Sequence, residues 1–142
     1  MRIPISRAIR RGSFAIGFGD GRSGSAGESL SRVAIHRAGL PAPELQARFD
    51  DDRGLIGYTD FWWPEAGIIG EFDGLGKYRR DLSGQRRSPA DIVVAEKRRE
   101  DRLRSLGPRV VRWGWSTARS VADLRDVLVA AGVRPESSHR RR

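Results

Sequence analysis

Residues 55–74 read LIGYTDFWWPEAGIIGEFDG. Two apolar runs, Leu55 to Trp63 and Ile68 to Asp73, flank Pro64-Glu65-Ala66-Gly67, a turn signal because proline presets one φ and glycine permits the reversal. The stretch is therefore expected to form a hairpin. With a four-residue turn, Trp63 falls opposite Ile68 and Asp60 opposite Glu71, and the period-two alternation of side chains puts Asp73 on the face of Glu71. Three carboxylates would then meet on one patch of sheet. Like charges facing each other destabilise a ladder and raise one another's pKa unless a cation neutralises them, and a divalent metal is the simplest such cation. The other reading is a solvated face whose acids keep the sheet soluble. Phe61, Trp62, Trp63, Ile68, Ile69 and Phe72 surround the acids with the most apolar part of the chain, where an unpaired charge is costly.

Upstream, Ser25 to Ala38 reads as a helix, with Ser25 as N-cap, Glu28 three residues on, an apolar face of Leu30, Val33 and Ala34, and Gly39 as its stop. Pro41 and Pro43 prevent its continuation. Leu45 to Phe49 reads as a short strand and Asp50 to Gly54 as a polar turn, so the hairpin becomes a three-stranded meander. Glu28 admits two roles, a capping-box acid or a metal ligand. Gln46 also admits two, an edge polar residue or a donor that orients a carboxylate. Residues 1–24, with Arg2, Arg7, Arg10 and Arg11 ahead of Gly17, Gly19, Gly21 and Gly24, form a poorly defined segment.

Downstream, Gly74 to Pro89 is a connection of 16 residues rich in glycine, serine and arginine, longer than a compact domain usually carries without a purpose. Lys77, Arg79, Arg80, Arg86 and Arg87 read either as a solvated loop or as a phosphate clamp over the acids. Ala90 to Leu106 is a strong helix ended by Gly107-Pro108. Its stripe of Ile92, Glu96, Arg99, Leu103 and Leu106 interrupts an apolar face with two charges, which either pair with each other or point into the acid site. Lys97 lies one step round. Arg109 to Trp113 reads as a strand, and Trp113 and Trp115 as core or rim. Val121 to Ala131 is a last helix with Ser120 and Asp123 at capping spacing and Gly132 as its stop; 134–142 is a polar tail expected to be disordered. The expected domain is 25–133.

The formal charge of +9 and a pI near 11.3 favour a polyanionic partner, because basic side chains release condensed counterions from phosphates. The only lysines are Lys77 and Lys97, so 25 of the 27 basic residues are arginine, a skew that a GC-rich coding sequence also produces. With no cysteine there is no disulfide and no thiolate zinc site, and with two histidines a metal would sit among carboxylate oxygens, as magnesium, manganese and calcium prefer. No apolar run is long enough to span a bilayer.

The motifs occur in a recognisable order. Gly27-Glu28-Ser29 with Arg32, Gly39-Leu40-Pro41 and Gln46 come first, then Asp60-Phe61 with Trp63-Pro64, and Glu71-Phe72-Asp73-Gly74 with Lys77-Tyr78. Glu96-Lys97 with Arg99-Glu100-Asp101 and Leu103, and Gly107 with Val110-Val111-Arg112, complete the set. Over about residues 25–115 the chain resembles the very short patch repair endonuclease-like domain of bacterial, especially actinobacterial, proteins, in the PD-(D/E)XK nuclease superfamily. The resemblance implies an α/β, restriction-endonuclease-like αβββαβ core, a mixed sheet of about four strands flanked by helices, here with a C-terminal helix added. It implies a cytoplasmic bacterial protein acting on DNA, with magnesium or manganese held by Asp60 and Glu71 and supported by Glu28. The superfamily's usual lysine falls at Asp73, as in this branch generally, so a catalytic cation would come from Lys77 or Lys97. Lys77, Arg79, Arg80, Arg86, Arg87 and Arg99 are the implied DNA contacts. Tyr58 and Pro108 depart from the branch, which often has arginine and usually has tryptophan there.

Many relatives carry this domain behind an N-terminal winged helix and resemble the antitoxin component of type IV toxin–antitoxin systems, a segment that this chain is expected to lack. Two functions are therefore expected to compete, a metal-dependent DNA endonuclease or nickase in repair or defence, and a non-catalytic DNA-binding or antitoxin-like module on the same fold. A third reading, a basic protein with no DNA role, differs from both in predicting no salt-sensitive DNA binding.

Overall fold

A computed structural model describes residues 22–74 and 88–137, with side chains from residue 26 onward. The elements run α1 (Arg22–Arg37), β1 (Glu44–Asp51), β2 (Gly54–Trp63), β3 (Ile68–Phe72), α2 (Pro89–Ser105), β4 (Arg109–Trp113), α3 (Trp115–Ala118) and α4 (Val121–Ala131). The fold is α/β with the expected αβββαβ order. One sheet has the strand order β1-β2-β3-β4, antiparallel through β3 and parallel between β3 and β4. A parallel neighbour needs a crossover, and α2 supplies it. The hairpin register is the expected one, with Trp63 opposite Ile68 and Phe61 opposite Gly70.

Strand alternation divides the interior into two cores. Phe61, Trp63, Ile68, Phe72 and Trp113 face α1 and α4, where they pack with Ala34, Ile35, Leu124 and Leu128. On the other face Ala47, Phe49, Ile56, Trp62 and Ile69 pack against Leu103 of α2, with Leu106 and Val110 at the margin. The indole nitrogens find partners as buried tryptophans require: Trp63 Nε1 donates to Pro41 O at 2.8 Å, and Trp113 Nε1 to Ser31 Oγ at 2.9 Å. Ser31 Oγ in turn donates to Gly27 O at 2.7 Å, so one polar chain ties α1 to β4.

Several boundaries shift. α1 starts at Arg22, so Ser25 lies inside the helix and is not its N-cap, and the capping-box role of Glu28 falls with it. The sequence signal misled because Ser followed by Glu at that spacing looks the same inside a helix as at its start. α2 starts at Pro89 in the first turn, where its missing N–H costs nothing, and Ser88 Oγ caps it by accepting from Asp91 N at 3.1 Å. α3 was not read from the sequence; at four residues it is too short to leave a periodicity. α4 matches its expected bounds, with Ser120 Oγ accepting from Asp123 N at 3.2 Å. The tail from residue 134 is not free throughout, because Glu136 N donates to Gly39 O at 3.1 Å. Among the described residues no helix is long and apolar enough to cross a membrane.

Gly27 sits where α1 presses on β3, and a Cβ there would lie well inside contact distance of the Phe72 ring. An alanine in a helix normally stabilises by about 1 kcal/mol relative to glycine. Here the sign reverses: Gly27→Ala is expected to destabilise by about 1–3 kcal/mol through overpacking, as read from its urea unfolding midpoint.

Candidate functional site

Alternation puts Asp60 on the same face as Trp62, and Glu71 on the same face as Ile69, so both acids lie under α2. The last paired residues of the β2–β3 ladder are Phe61 and Gly70. Beyond them the side chain of Asp60 takes the place of a main-chain partner: its Oδ2 accepts from Phe72 N at 2.9 Å. On the other side of β2 the ladder with β1 passes from Leu45–Phe61 to Ala47–Thr59 and omits Gln46, whose φ is 50°. That left-handed conformation is strained for glutamine. It accompanies a contact from Gln46 Nε2 to Asp60 Oδ1 at 3.5 Å, the orienting role that the sequence left open. Asp60 is thus held by two neutral donors, with no cationic partner within ion-pair distance among the described residues.

Glu71 is 5% exposed. Burial pushes its carboxyl above the ordinary value, Asp60 adds to the shift through its charge, and Arg99 opposes both. Arg99 Nη1 lies 2.9 Å from Glu71 Oε1 and Nη2 donates to Tyr58 O at 2.7 Å, so the guanidinium spans from β3 to the backbone of β2. Gly57 makes room for it. At a φ of +150°, which side-chain-bearing residues rarely adopt, and with Arg99 Nε only 3.1 Å from where a Cβ would stand, the position suits glycine on both counts. Arg99 also lies 4.0 Å from Glu96 Oε2, so the two outcomes expected for this helix stripe, mutual pairing and entry into the site, both occur.

The parallel register sets Arg112 of β4 beside Glu71, and Arg112 extends the network to Glu100 at 3.1 Å and Glu96 at 3.6 Å. Sequence reasoning did not assign a role to Arg112 or Glu100. The usable signal was period two: Val110 and Arg112 share a face of β4, and Val110 belongs to the core under α2. A second pair, Asp51 and Arg102, fixes α2 to the β1–β2 turn at 2.6 Å and lowers the Asp51 pKa to about 2, chiefly through the Arg102 hydrogen bond.

The expected cluster of acids is smaller in the structure. Asp73 lies past the end of β3 with its side chain exposed, while its backbone N–H donates to Trp113 O at 2.8 Å. Glu28 is half-buried on α1, the helix on the opposite face, next to the Gly27 that rests on Phe72. Among the described residues no three carboxylate, imidazole or thiol groups lie close enough to hold a metal ion together. Asp60 and Glu71 are the pair that interacts. Their hard oxygens suit magnesium, which commonly takes one or two carboxylates and completes its shell with water and substrate phosphate. Lys97 is exposed on α2, and Lys77, Arg79, Arg80, Arg86 and Arg87 lie outside the described residues. Trp113 is core, stacked on Phe61 at 5.3 Å, and Trp115 packs edge-on to Phe72 at 5.1 Å.

Two uncharacterised proteins of Mycobacterium tuberculosis, from the CDC 1551 and H37Rv strains, are each 32% identical to this chain over 94 residues. The match covers 66% of this chain and 31% of each of theirs, so the chain spans about a third of the relatives it matches. No family profile matches the chain, and no solved structure does.

The two ion-paired acids should leave opposite pH signatures. Asp51, held below its ordinary value of 3.8, contributes stability that is present above that value and lost as pH falls towards about 2. Glu71, held above its ordinary value, contributes stability that is present below 4.5 and lost as pH rises through its folded value. In urea unfolding at a series of pH values, the deficit of Asp51→Asn is expected to shrink with acidification. Wild type measured against Glu71→Gln is expected to lose ground as pH rises. At the strained position, Gln46→Gly should be tolerated while Gln46→Val costs about 1–2 kcal/mol, because a β-branched side chain fits positive φ poorly.

Proposed function

We propose that this chain is a DNA-directed domain that hydrolyses phosphodiester bonds with the help of a divalent cation, a nicking or endonucleolytic activity in bacterial DNA repair or defence. The observation that carries the reading is Asp60, a half-buried carboxylate beside a buried one, fixed in orientation by Phe72 N–H and the Gln46 amide. Accepting from Phe72 N–H needs only a neutral acceptor, whereas two oriented carboxylates form the kind of donor set that magnesium uses. The αβββαβ order and the motifs around Asp60, Glu71 and Glu96 support assigning the domain to the very short patch repair endonuclease-like branch of the PD-(D/E)XK superfamily. The net charge of +9 supports a polyanionic substrate.

In this reading Asp60 and Glu71 hold magnesium or manganese. The cation, when bound, supplies Lewis acidity towards the phosphate and a more acidic water. The chain's own residues do the positioning. Phe72 N–H and Gln46 fix the Asp60 carboxylate, and burial excludes competing water from Glu71. Lys97 offers an exposed charge on α2 for the DNA backbone, and Lys77, Arg79, Arg80, Arg86 and Arg87 of the connecting segment would add to it.

One observation favours a second reading. Glu71 already has a cation, the Arg99 guanidinium at 2.9 Å, and an acid neutralised in this way can serve a non-catalytic DNA-binding or antitoxin-like module. Cleavage of plasmid and mismatched duplex DNA with magnesium or manganese separates the two. Nicking by the wild type that falls at least a hundredfold in the Asp60→Ala, Glu71→Ala double variant is the expected result. Salt-sensitive DNA binding that is equal in both proteins, with no cleavage by either, would leave the binding module.

A further inference from the structure

Arg99 is a half-buried cation occupying an oxygen that the proposed metal would need. Its side chain is 17% exposed and that of Glu71 7%, so the pair is largely withdrawn from water yet open along one edge. Both terminal nitrogens of the guanidinium are committed, Nη1 to Glu71 Oε1 and Nη2 to Tyr58 O. A divalent ion on Glu71 would face a full positive charge in a poorly screened setting, so Arg99 and the ion exclude each other at that oxygen. Something must draw Arg99 away. A guanidinium has one preferred alternative to a carboxylate, the paired oxygens of a phosphate, which it meets with the same two-pronged geometry.

We propose that Arg99 is a phosphodiester-binding residue that couples DNA binding to cation binding: it leaves Glu71 for a DNA phosphate and thereby opens the acid pair to the metal. The inference rests on the metal-dependent reading above and adds the order of events to it. Free chain holds magnesium weakly because Arg99 competes for Glu71. DNA-bound chain holds it tightly. Linkage makes the effect reciprocal, so magnesium strengthens DNA binding by the same factor. Gly57 lets the side chain lie across β2 in the closed position, and Glu96 at 4.0 Å gives the departing guanidinium a nearby acid.

The test is a magnesium titration followed by NMR on the backbone amide of Phe72, which reports on Asp60 directly, with and without a short DNA duplex confirmed intact afterwards. For wild type the duplex is expected to raise magnesium affinity at least tenfold. Adding duplex should also shift the Nε–H resonance of the Arg99 guanidinium, a readout that needs no variant. In Arg99→Met, magnesium alone should bind as tightly as it binds wild type with DNA, and the duplex should add less than twofold. Equal magnesium affinity in wild type with and without duplex, or an Arg99 resonance indifferent to DNA, would overturn the coupling while leaving the metal reading intact. No magnesium response at Phe72 in either protein under either condition would overturn both.

Discussion

A carboxylate at 5% exposure between β-strands and a covering helix cannot stay charged without a cation, and the whole α2 side of the sheet is arranged around meeting that need for Glu71. Arg99 supplies the charge from α2, and Gly57 and the Tyr58 carbonyl accommodate it on β2. Around it Glu96, Glu100 and Arg112 alternate in sign. A buried ion pair adds little net stability over an apolar pair, but removing one member strands the other at a cost of about 3–5 kcal/mol. The pair therefore acts chiefly on placement. Leu103 gives α2 its apolar anchor, and the ion pairs at Glu71 and Asp51 determine how the helix sits along the sheet.

The opposite face works differently, and the contrast bears on the site. There Phe61 stacks between Trp63 and Trp113, and the two indole nitrogens donate to Pro41 O and Ser31 Oγ. Gly27 lets α1 close on Phe72. The residue thus clamped by α1 is the one whose N–H holds Asp60 on the other face. A closely packed face positions the strand end, and the strand end orients the acid. Deforming the α1 contact should therefore be felt at Asp60 without any direct contact between them.

What the sequence made legible follows from how local the deciding interactions are. Pro64 and Gly67 set the turn, the turn sets the register, and the opposition of Trp63 and Ile68 follows within a dozen residues. The bounds of β4 and α4 were legible for the same reason, since Gly107-Pro108, Ser120 and Gly132 punctuate them. The acid cluster was only half legible. Asp73 has the parity to join Glu71, but the strand ends one residue earlier, at Phe72, and the Asp73 side chain is exposed. Glu28 has the right chemistry on a helix that covers the other face, and no local pattern says which face a helix will cover. Arg99 was open between Glu96 and the site because both partners lie within reach of the same helix stripe. Arg112 needed the parallel β3–β4 register, a contact set by a crossover of more than thirty residues' chain and invisible to any short window.

The ion pair with Arg99 is enough to explain Glu71 as a structural residue. It does not explain Asp60. A protein that only binds DNA gains nothing from a second, half-buried carboxylate beside the first, since each acid repels phosphate and the charge of Asp60 raises the cost of charging Glu71. Asp60 could have been avoided by placing at that position of β2 any polar group able to accept from Phe72 N–H, and asparagine would do so without the charge. Instead its carboxylate is aimed by two neutral donors, one of them on a residue held at a strained φ of 50°. Strain, together with a charge that meets no counter-charge among the described residues, is what a site looks like when its complement is an external cation. The enzyme reading therefore stands on Asp60, the residue that the internal ion pairs leave without a counter-charge among the described residues.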